Sequence, residues 1–318
     1  MVSRFHSRNG TCGSGTAPAD HPPDIKALLW EMLRQVPRGS VTTYGALADS
    51  LGDRGAARAI GSLLSKNPTP PDPPCHRVVY ADGRTGWYKG KGKGAEEKIS
   101  LLRNEGVDVR EGHVDLEKHL FTDFQTIPVL KIMMAEQLAL SKQIDFDGGP
   151  LPDTLSAIDV SYDGDTAFAA RVDFSLSDGS EIGRECVRTT VEFPYIPGYL
   201  SFREAEAMRS LLMDDGRLHL IDGNGILHPR GAGIASHLGR DGHRTMGAAK
   251  SLLTGELVGR SIIIDGEERG RKVGKYYVSV GNRVTLSQAE EALTRLLDMG
   301  VDPSRRAHSE ATRFKTSV

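Results

Sequence analysis

Cys75 and His76 stand side by side in the run Pro73, Pro74, Cys75, His76, Arg77, Val78, Val79. The proline-rich stretch 68–74 must be extended, and it delivers the thiol at its end. A thiolate is a strong nucleophile and a neighbouring imidazole can take its proton, so the pair can carry nucleophilic chemistry. An isolated free cysteine is more often a small buried hydrophobe, so the surroundings must decide. A second set of reactive residues lies far along the chain. Asp159, Glu204 and Asp222 are separated by 45 and 18 residues, and each aspartate closes an apolar run, Ala157-Ile158 and Leu220-Ile221. Carboxylates gathered at strand ends repel one another unless a cation holds them. Oxygen-only ligation suits Mg²⁺, which can activate water and stabilise the leaving oxygen of a phosphodiester. Three acids alone are a common occurrence and carry little weight.

These residues need scaffolds. The chain has 318 residues, 38% hydrophobic, with 36 glycines, enough apolar material for two packed cores. The 40 basic and 42 acidic residues leave a net charge of -2, so contact with nucleic acid must come from local basic patches. Cys12, Cys75 and Cys186 make no disulfide framework and suit a reducing cytosol. The run 127–135 is broken by Lys131, and Arg4 and Arg8 precede no apolar core, so neither a membrane span nor a signal peptide is expected.

Residues 1–23, rich in Gly, Ser, Thr and Pro, read as a flexible tail. A helix follows with Ile25, Leu28, Leu29, Met32 and Leu33 on one face, then a short helix over 44–51 capped by Thr42 or Thr43. A third helix over 54–66 completes a helix-turn-helix pattern, and 98–105 forms one more. A second unit starts after about residue 115, with a helix over 129–140. It has strands over 155–160, 166–174, 185–191 and 218–222, and helices over 202–213, 231–238 and 285–299. That order predicts a mixed α/β domain with a central sheet. The expected organisation is a tail over 1–23, a mainly helical domain over 24–115 and an α/β domain over 122–318, closely joined.

The run Pro-Cys-His-Arg-Val-Val at 74–79 resembles the active-site motif of O6-alkylguanine-DNA alkyltransferases. Further words recur in that family's order: Val-Thr-Thr-Tyr-Gly at 41–45, Ala-Arg-Ala-Ile-Gly at 57–61, Asn67-Pro68 and Leu-Leu-Arg-Asn-Glu-Gly at 101–106. Tyr44 lies 14 positions before Arg58, and Asn67 lies 8 before Cys75, as in that family. The resemblance covers about residues 24–110, the DNA-binding and catalytic half of the family. It implies that Cys75 accepts the alkyl group, with His76, bridged by water and oriented by Glu105, as base. It also implies that Arg58 enters the duplex as the damaged base is flipped out, since a stacked base is out of reach. Tyr44 would contact the target phosphate and protonate the leaving guanine, Tyr88 would line the base pocket, and Asn67 would hold the adjacent turn. One departure is the loop 88–98, about three residues longer than in the family and carrying Lys89, Lys91 and Lys93.

The second half resembles endonuclease V. The words are Phe-Pro-Tyr-Ile-Pro-Gly-Tyr-Leu-Ser-Phe-Arg-Glu at 193–204 and Asp-Gly-Asn-Gly-Ile-Leu-His-Pro-Arg-Gly at 222–231, with Gly-Ala-Ala-Lys-Ser at 247–251 and Pro-Ser-Arg-Arg-Ala-His at 303–308. This implies a ribonuclease-H-like fold and Mg²⁺-dependent nicking at the second phosphodiester 3′ to deoxyinosine. Asp159 and Asp222 would hold the metal, Glu204 would complete the acidic cluster as a catalytic and ligating group, and His308 would act beside it. Tyr195, stiffened between Pro194 and Pro197, would be the wedge that separates strands, and Lys250 would contact phosphate. His219, His237 and His243 read as structural or surface residues. Residues 269–275 read as a basic patch or an ordinary solvated face.

The leading expectation is therefore a cytoplasmic DNA repair protein with two activities, needing no cofactor for alkyl transfer and Mg²⁺ for the endonuclease. Its partner is double-stranded DNA carrying alkylated guanine or deoxyinosine, with no membrane and no obligate protein partner. The alternative is a non-catalytic alkylguanine sensor fused to an inosine-RNA nuclease. Cys75 argues against the sensor.

Overall fold

The computed structural model describes residues 23–317 apart from Lys91 and Lys93. The expected tail, except Pro23, lies outside the described residues, as do Cys12, Lys91 and Lys93. Asp24 caps the first helix, α1 (Ile25–Gln35), by accepting from the Ala27 amide, and Ile25, Leu29, Met32 and Leu33 are buried on its inner face. Thr43 rather than Thr42 caps α2 (Tyr44–Leu51), because its Oγ1 accepts from the Ala46 amide. Gly52 ends α2 with φ +102, and a Cβ there would sit 2.7 Å from the Lys131 backbone nitrogen. Only glycine allows both that turn and that approach.

The expected helix over 54–66 divides. Asp53 caps a single 3₁₀ turn, Arg54–Ala56, and α3 (Ala57–Ser65) follows. Short strands β1 (Thr42–Thr43) and β2 (Val78–Val79) pair in parallel, bringing the thiol turn beside the start of α2. Helix α4 (Ala95–Asn104) begins three residues earlier than expected and leaves Glu105 just beyond its end. The hairpin β3 (Val109–Arg110) and β4 (His113–Val114) and the single turn α5 (Leu116–His119) close this part.

Helix α6 (Val129–Ser141) ties the halves together. Its Val129, Leu130 and Met133 share one core with Leu29, Leu47 and Ile60 of the first half and with Phe193, Ile196 and Tyr199 of the second. The apolar cluster runs through the point where the sequence changes character.

The second half is a nine-stranded mixed sheet. Its strands are β5 (Thr154–Asp163), β6 (Thr166–Ser175), β7 (Glu181–Thr190), β8 (Leu218–Ile221), β9 (Arg244–Ala249), β10 (Glu256–Val258), β11 (Ser261–Ile264), β12 (Glu267–Val273) and β13 (Tyr276–Asn282). They lie in the order β10-β11-β12-β13-β9-β8-β5-β6-β7. Only β5, β8 and β9 pair in parallel, and the outer strands form antiparallel hairpins. Helices α7 (Leu200–Arg209) and α8 (Ile234–Gly239) pack with Ile158, Val160 and Ile221. The second core holds Leu155, Val172 and Val278, with α9 (Leu286–Asp298) supplying Leu293 and Leu296 and α10 (Pro303–Ser317) supplying Ala307.

Asp159 corrects one expectation. It is not at the end of β5, because pairing with β6 carries that strand on to Asp163. Its parallel pairing with β8 stops at Ile158↔Ile221, however, so Asp159 and Asp222 both stand where that pair runs out. Open α/β sheets build their ligand sites at such carboxyl ends. The stretch read as a basic patch or a solvated face is β12 and its turn, and most of its charges are paired: Arg269 with Glu267, Arg271 with Glu268 and Glu290, and Lys275 with Asp302, while Lys272 lies over the Tyr277 ring. Among the described residues no helix is long and apolar enough to cross a membrane.

Candidate active sites

The Cys75 thiol is 8% exposed and faces a cavity of about 700 Å³. Tyr44, Arg58, Tyr80, Trp87, Tyr88 and Lys98 form the walls. Burial pushes the thiol pKa up, while a hydrogen bond from Asn67 Nδ2 at 3.2 Å and the nearby Lys98 ammonium pull it down. Asn67 also donates to the Pro73 carbonyl and accepts from the Thr69 amide, so one side chain fixes the loop and touches the sulfur. His76 is buried directly behind. Its Nε2 lies 3.1 Å from Glu105 Oε1, and its Nδ1 has no hydrogen-bond partner. Burial holds the His76 imidazole below its usual pKa despite Glu105, which favours the neutral base. Burial also pushes the Glu105 carboxyl up, but hydrogen bonds from Arg77 and His76 outweigh it and leave the acid ionised.

Tyr44 opens α2 and pairs its ring with Tyr80 at 5.5 Å. Burial and the neighbouring Tyr80 and Cys75 push its phenol up to about 12, so it stays a proton donor. The buried Tyr88 ring meets His76 edge-on, and burial raises its phenol as well. Arg58, the second residue of α3, is exposed on the cavity rim. Lys89 of the lengthened loop lines the same cavity and pairs with Glu97 at 2.5 Å.

The acidic residues converge in a second cavity of about 380 Å³, which Asp159, Glu204, Asp222, Tyr195 and Lys250 all line. Asp159 Oδ1 accepts from the Val160 amide, and Oδ2 accepts from His308 Nδ1 at 2.8 Å. Asp222 follows β8, and its amide donates to the Ile158 carbonyl. Glu204, on α7, accepts from the Tyr162 hydroxyl at 3.0 Å. Burial, with repulsion from Asp222, pushes Asp159 up to about 6. Burial also pushes Glu204 up to about 7, with Asp159 and Asp222 adding to the shift. Lys250, expected to contact phosphate, has its ammonium paired with Asp222. Tyr195, 64% exposed, projects at the mouth.

Family models match both parts of the chain: "6-O-methylguanine DNA methyltransferase, DNA binding domain" over residues 24–107 and "Endonuclease V" over 133–309. A bifunctional methyltransferase/endonuclease of Picrophilus torridus is 35% identical over 281 residues, covering 88% of this chain and 91% of the relative. One from Thermoplasma volcanium is 38% identical over 269 residues, covering 84% and 82%. The chain belongs to the bifunctional methyltransferase/endonuclease family. Its second half also matches the crystal structure of endonuclease V from Streptomyces avermitilis, with a TM-score of 0.51 and 31% identity over 57% of this chain and 91% of that one. The protein therefore joins a DNA-binding methyltransferase domain to an endonuclease, the combination of a DNA repair protein.

Endonuclease V proteins depend on a metal. Among the described residues no three His, Cys, Asp or Glu side chains already form a metal-binding group. The donor set nevertheless fits a hard cation. The three carboxylates offer only oxygen donors, burial and mutual repulsion make two of them hold protons tightly, and Lys250 already sits against the third. Asp159, Asp222 and Glu204 would be the residues to hold it.

Several members of the two sites were missed in the sequence reading. Arg77 clamps Glu105 through Nε and Nη2, both at 2.7 Å, and donates to the Val36 carbonyl; its position beside Cys-His was the available signal. Lys98 is buried, donates to the Val78 carbonyl at 2.6 Å, and has a pKa lowered to about 8 by burial. It looked like an ordinary polar position near the start of a helix. Tyr162, the partner of Glu204, carried no signal beyond its place after Asp159. Of the histidines read as structural or surface residues, His219 is buried, faces the Arg244 carbonyl and accepts from the Met213 amide.

Proposed function

We propose that the methyltransferase half moves an alkyl group from O6 of guanine in double-stranded DNA to Cys75, once per chain. We also propose that the endonuclease half nicks DNA at the second phosphodiester 3′ to deoxyinosine with Mg²⁺. One observation carries the reading: a single chain holds a buried thiol backed by an imidazole–carboxylate pair and, apart from it, a pocket of converging carboxylates. In the first site His76 takes the thiol proton, the sulfur–carbon bond forms as the O6–carbon bond breaks, and Tyr44 protonates the leaving guanine. Glu105 steadies the imidazolium, and Arg77 keeps Glu105 ionised. Arg58 fills the space of the extruded base, while Tyr88 borders its pocket. The thioether is too stable for any group here to reverse, so the reaction is stoichiometric.

In the second site Mg²⁺, when bound, supplies an activated water and charge for the leaving oxygen. Asp159, Asp222 and Glu204 hold that position, His308 orients Asp159 and can steady a phosphate, and Tyr195 replaces lost base stacking. Lys250 balances Asp222 before the cation arrives. The thiol in its pocket supports transfer over mere sensing of alkylguanine. DNA carrying labelled O6-methylguanine is expected to label the protein with at most one group per chain, and Cys75→Ala to abolish that label while still nicking inosine DNA. Matched inosine-containing DNA and RNA strands, assayed side by side, decide the nuclease's substrate. Label on the alanine variant, or repeated turnover, overturns the transfer reading, and preferential cutting of RNA overturns the second.

A further inference from the structure

A third cleft, of about 660 Å³, lies between the two active sites. One wall is α3 with Arg58 and Ser62, and Lys66 at its end; the other holds Glu192, Tyr195 and Arg203 of the endonuclease half. Arg58 lines both this cleft and the Cys75 cavity, and Tyr195 lines both this cleft and the acidic cavity. The surface therefore runs from the thiol past Arg58, across the cleft, past Tyr195 to the carboxylates.

The two walls are locked together. The Tyr199 hydroxyl, four residues past Tyr195, donates to Asp53 Oδ2 at 2.7 Å, and Asp53 caps the turn leading into α3. The Arg230 guanidinium stacks 4.4 Å over Tyr199 and reaches Asp53 at 3.5 Å. Lys66 bridges to Asp165 at 3.1 Å, and Phe193, Ile196 and Tyr199 are buried in the core that contains α1 and α3. Four basic side chains, Lys26, Arg58, Lys66 and Arg203, line the cleft against three acids, Asp24, Asp165 and Glu192, one of which Lys66 already neutralises.

We infer that the two sites share one DNA-binding face, which admits a single duplex at a time, so that a duplex held at its inosine keeps a second duplex from Cys75. This rests on the proposed function, which puts Arg58 and Tyr195 into DNA. Arg58 and Tyr195 line the same cleft, whose walls are tied together, so two duplexes entered by these side chains would overlap. The halves then act in turn on DNA, although their chemistries are independent.

The test uses the full chain with Ca²⁺ in place of Mg²⁺, the inosine strand being checked on a gel for intactness. Alkyl transfer from a labelled O6-methylguanine duplex is timed against rising concentrations of an inosine duplex or an undamaged duplex of equal length. Fluorescence anisotropy follows binding of the inosine duplex in the same mixtures. The expected result is that the inosine duplex halves the transfer rate at a concentration at least tenfold below that needed with undamaged DNA. The halving should coincide with its anisotropy midpoint. Unchanged transfer with the inosine duplex fully bound would mean two duplexes on one chain, which overturns the shared face alone. No preferential binding of inosine DNA in the anisotropy arm instead overturns the nuclease reading, and this inference falls with it.

Discussion

Burial lifts the pKa of the Cys75 thiol, whereas attack on carbon requires a thiolate. The surrounding residues lessen that conflict without removing it: Asn67 donates to the sulfur, Lys98 brings positive charge into the same cavity, and His76 waits neutral with a free Nδ1. Glu105→Gln removes the charge that steadies the imidazolium, so it is expected to slow transfer by up to about 100-fold, part of the general-base contribution. DNA binding should be kept, since Glu105 faces His76 and Arg77. Single-turnover labelling beside a binding titration checks both halves of that statement. The acids of the second site make a pH prediction. Asp159 at about 6 and Glu204 at about 7 bind protons more tightly in the folded chain than in the unfolded one. Their contribution to stability is therefore present below the ordinary carboxylate range and is lost as pH rises through about 6 and about 7. A divalent ion needs the same oxygens ionised, so protons and metal compete. Nicking is expected to fall below pH 7 at low Mg²⁺, and this acid limb should move to lower pH as Mg²⁺ rises. An acid limb indifferent to Mg²⁺ would exclude the competition.

The elements decide how much of this could be read in advance. Helix α1 and strands β5, β6 and β8 follow from apolar periodicity, and the words around Cys75, Glu204 and Asp222 located both sites. Strands β9 to β13 were not expected: β9 carries little apolar alternation, and β10 to β13 are separated only by two-residue turns and carry many charges. Asp265-Gly266 between β11 and β12 has both φ values positive, the hairpin signature, and it was passed over for the charges that follow. Arg77, Lys98 and Tyr162 act through partners distant in sequence, which periodicity does not reveal. Nor did the sequence disclose that α6 and the wedge segment pack into the core of the first half. Tyr199 tests that joint. Its hydroxyl binds the Asp53 carboxylate from a fully buried ring, and such a bond to a charged group is worth about 1.5–3 kcal/mol. Tyr199→Phe is expected to lose stability of that order in urea denaturation, with the loosening felt in both halves. A loss confined to the endonuclease half, with the Cys75 half melting as before, would show the joint to be weak.

On the scale of the whole molecule, one apolar core spans the two halves but no reacting group is common to both. In the proposed reactions the thiol attack uses a protein nucleophile and no metal, and the hydrolysis uses a cation-activated water and no protein nucleophile. Single substitutions should therefore separate the activities even though the halves are packed as one body. Asp222→Ala removes one negative ligand from a hard-cation site and leaves Lys250 without its partner. It is expected to end Mg²⁺-dependent nicking of inosine DNA while alkyl transfer to Cys75 continues at its usual rate. Transfer should likewise persist in EDTA, where nicking stops. The measurement is both reactions on each variant, with circular dichroism to establish folding. If Asp222→Ala stays folded and still loses alkyl transfer, the acidic site must reach Cys75 through the shared core around Tyr199, and coupling would extend from the DNA-binding face into the chemistry itself.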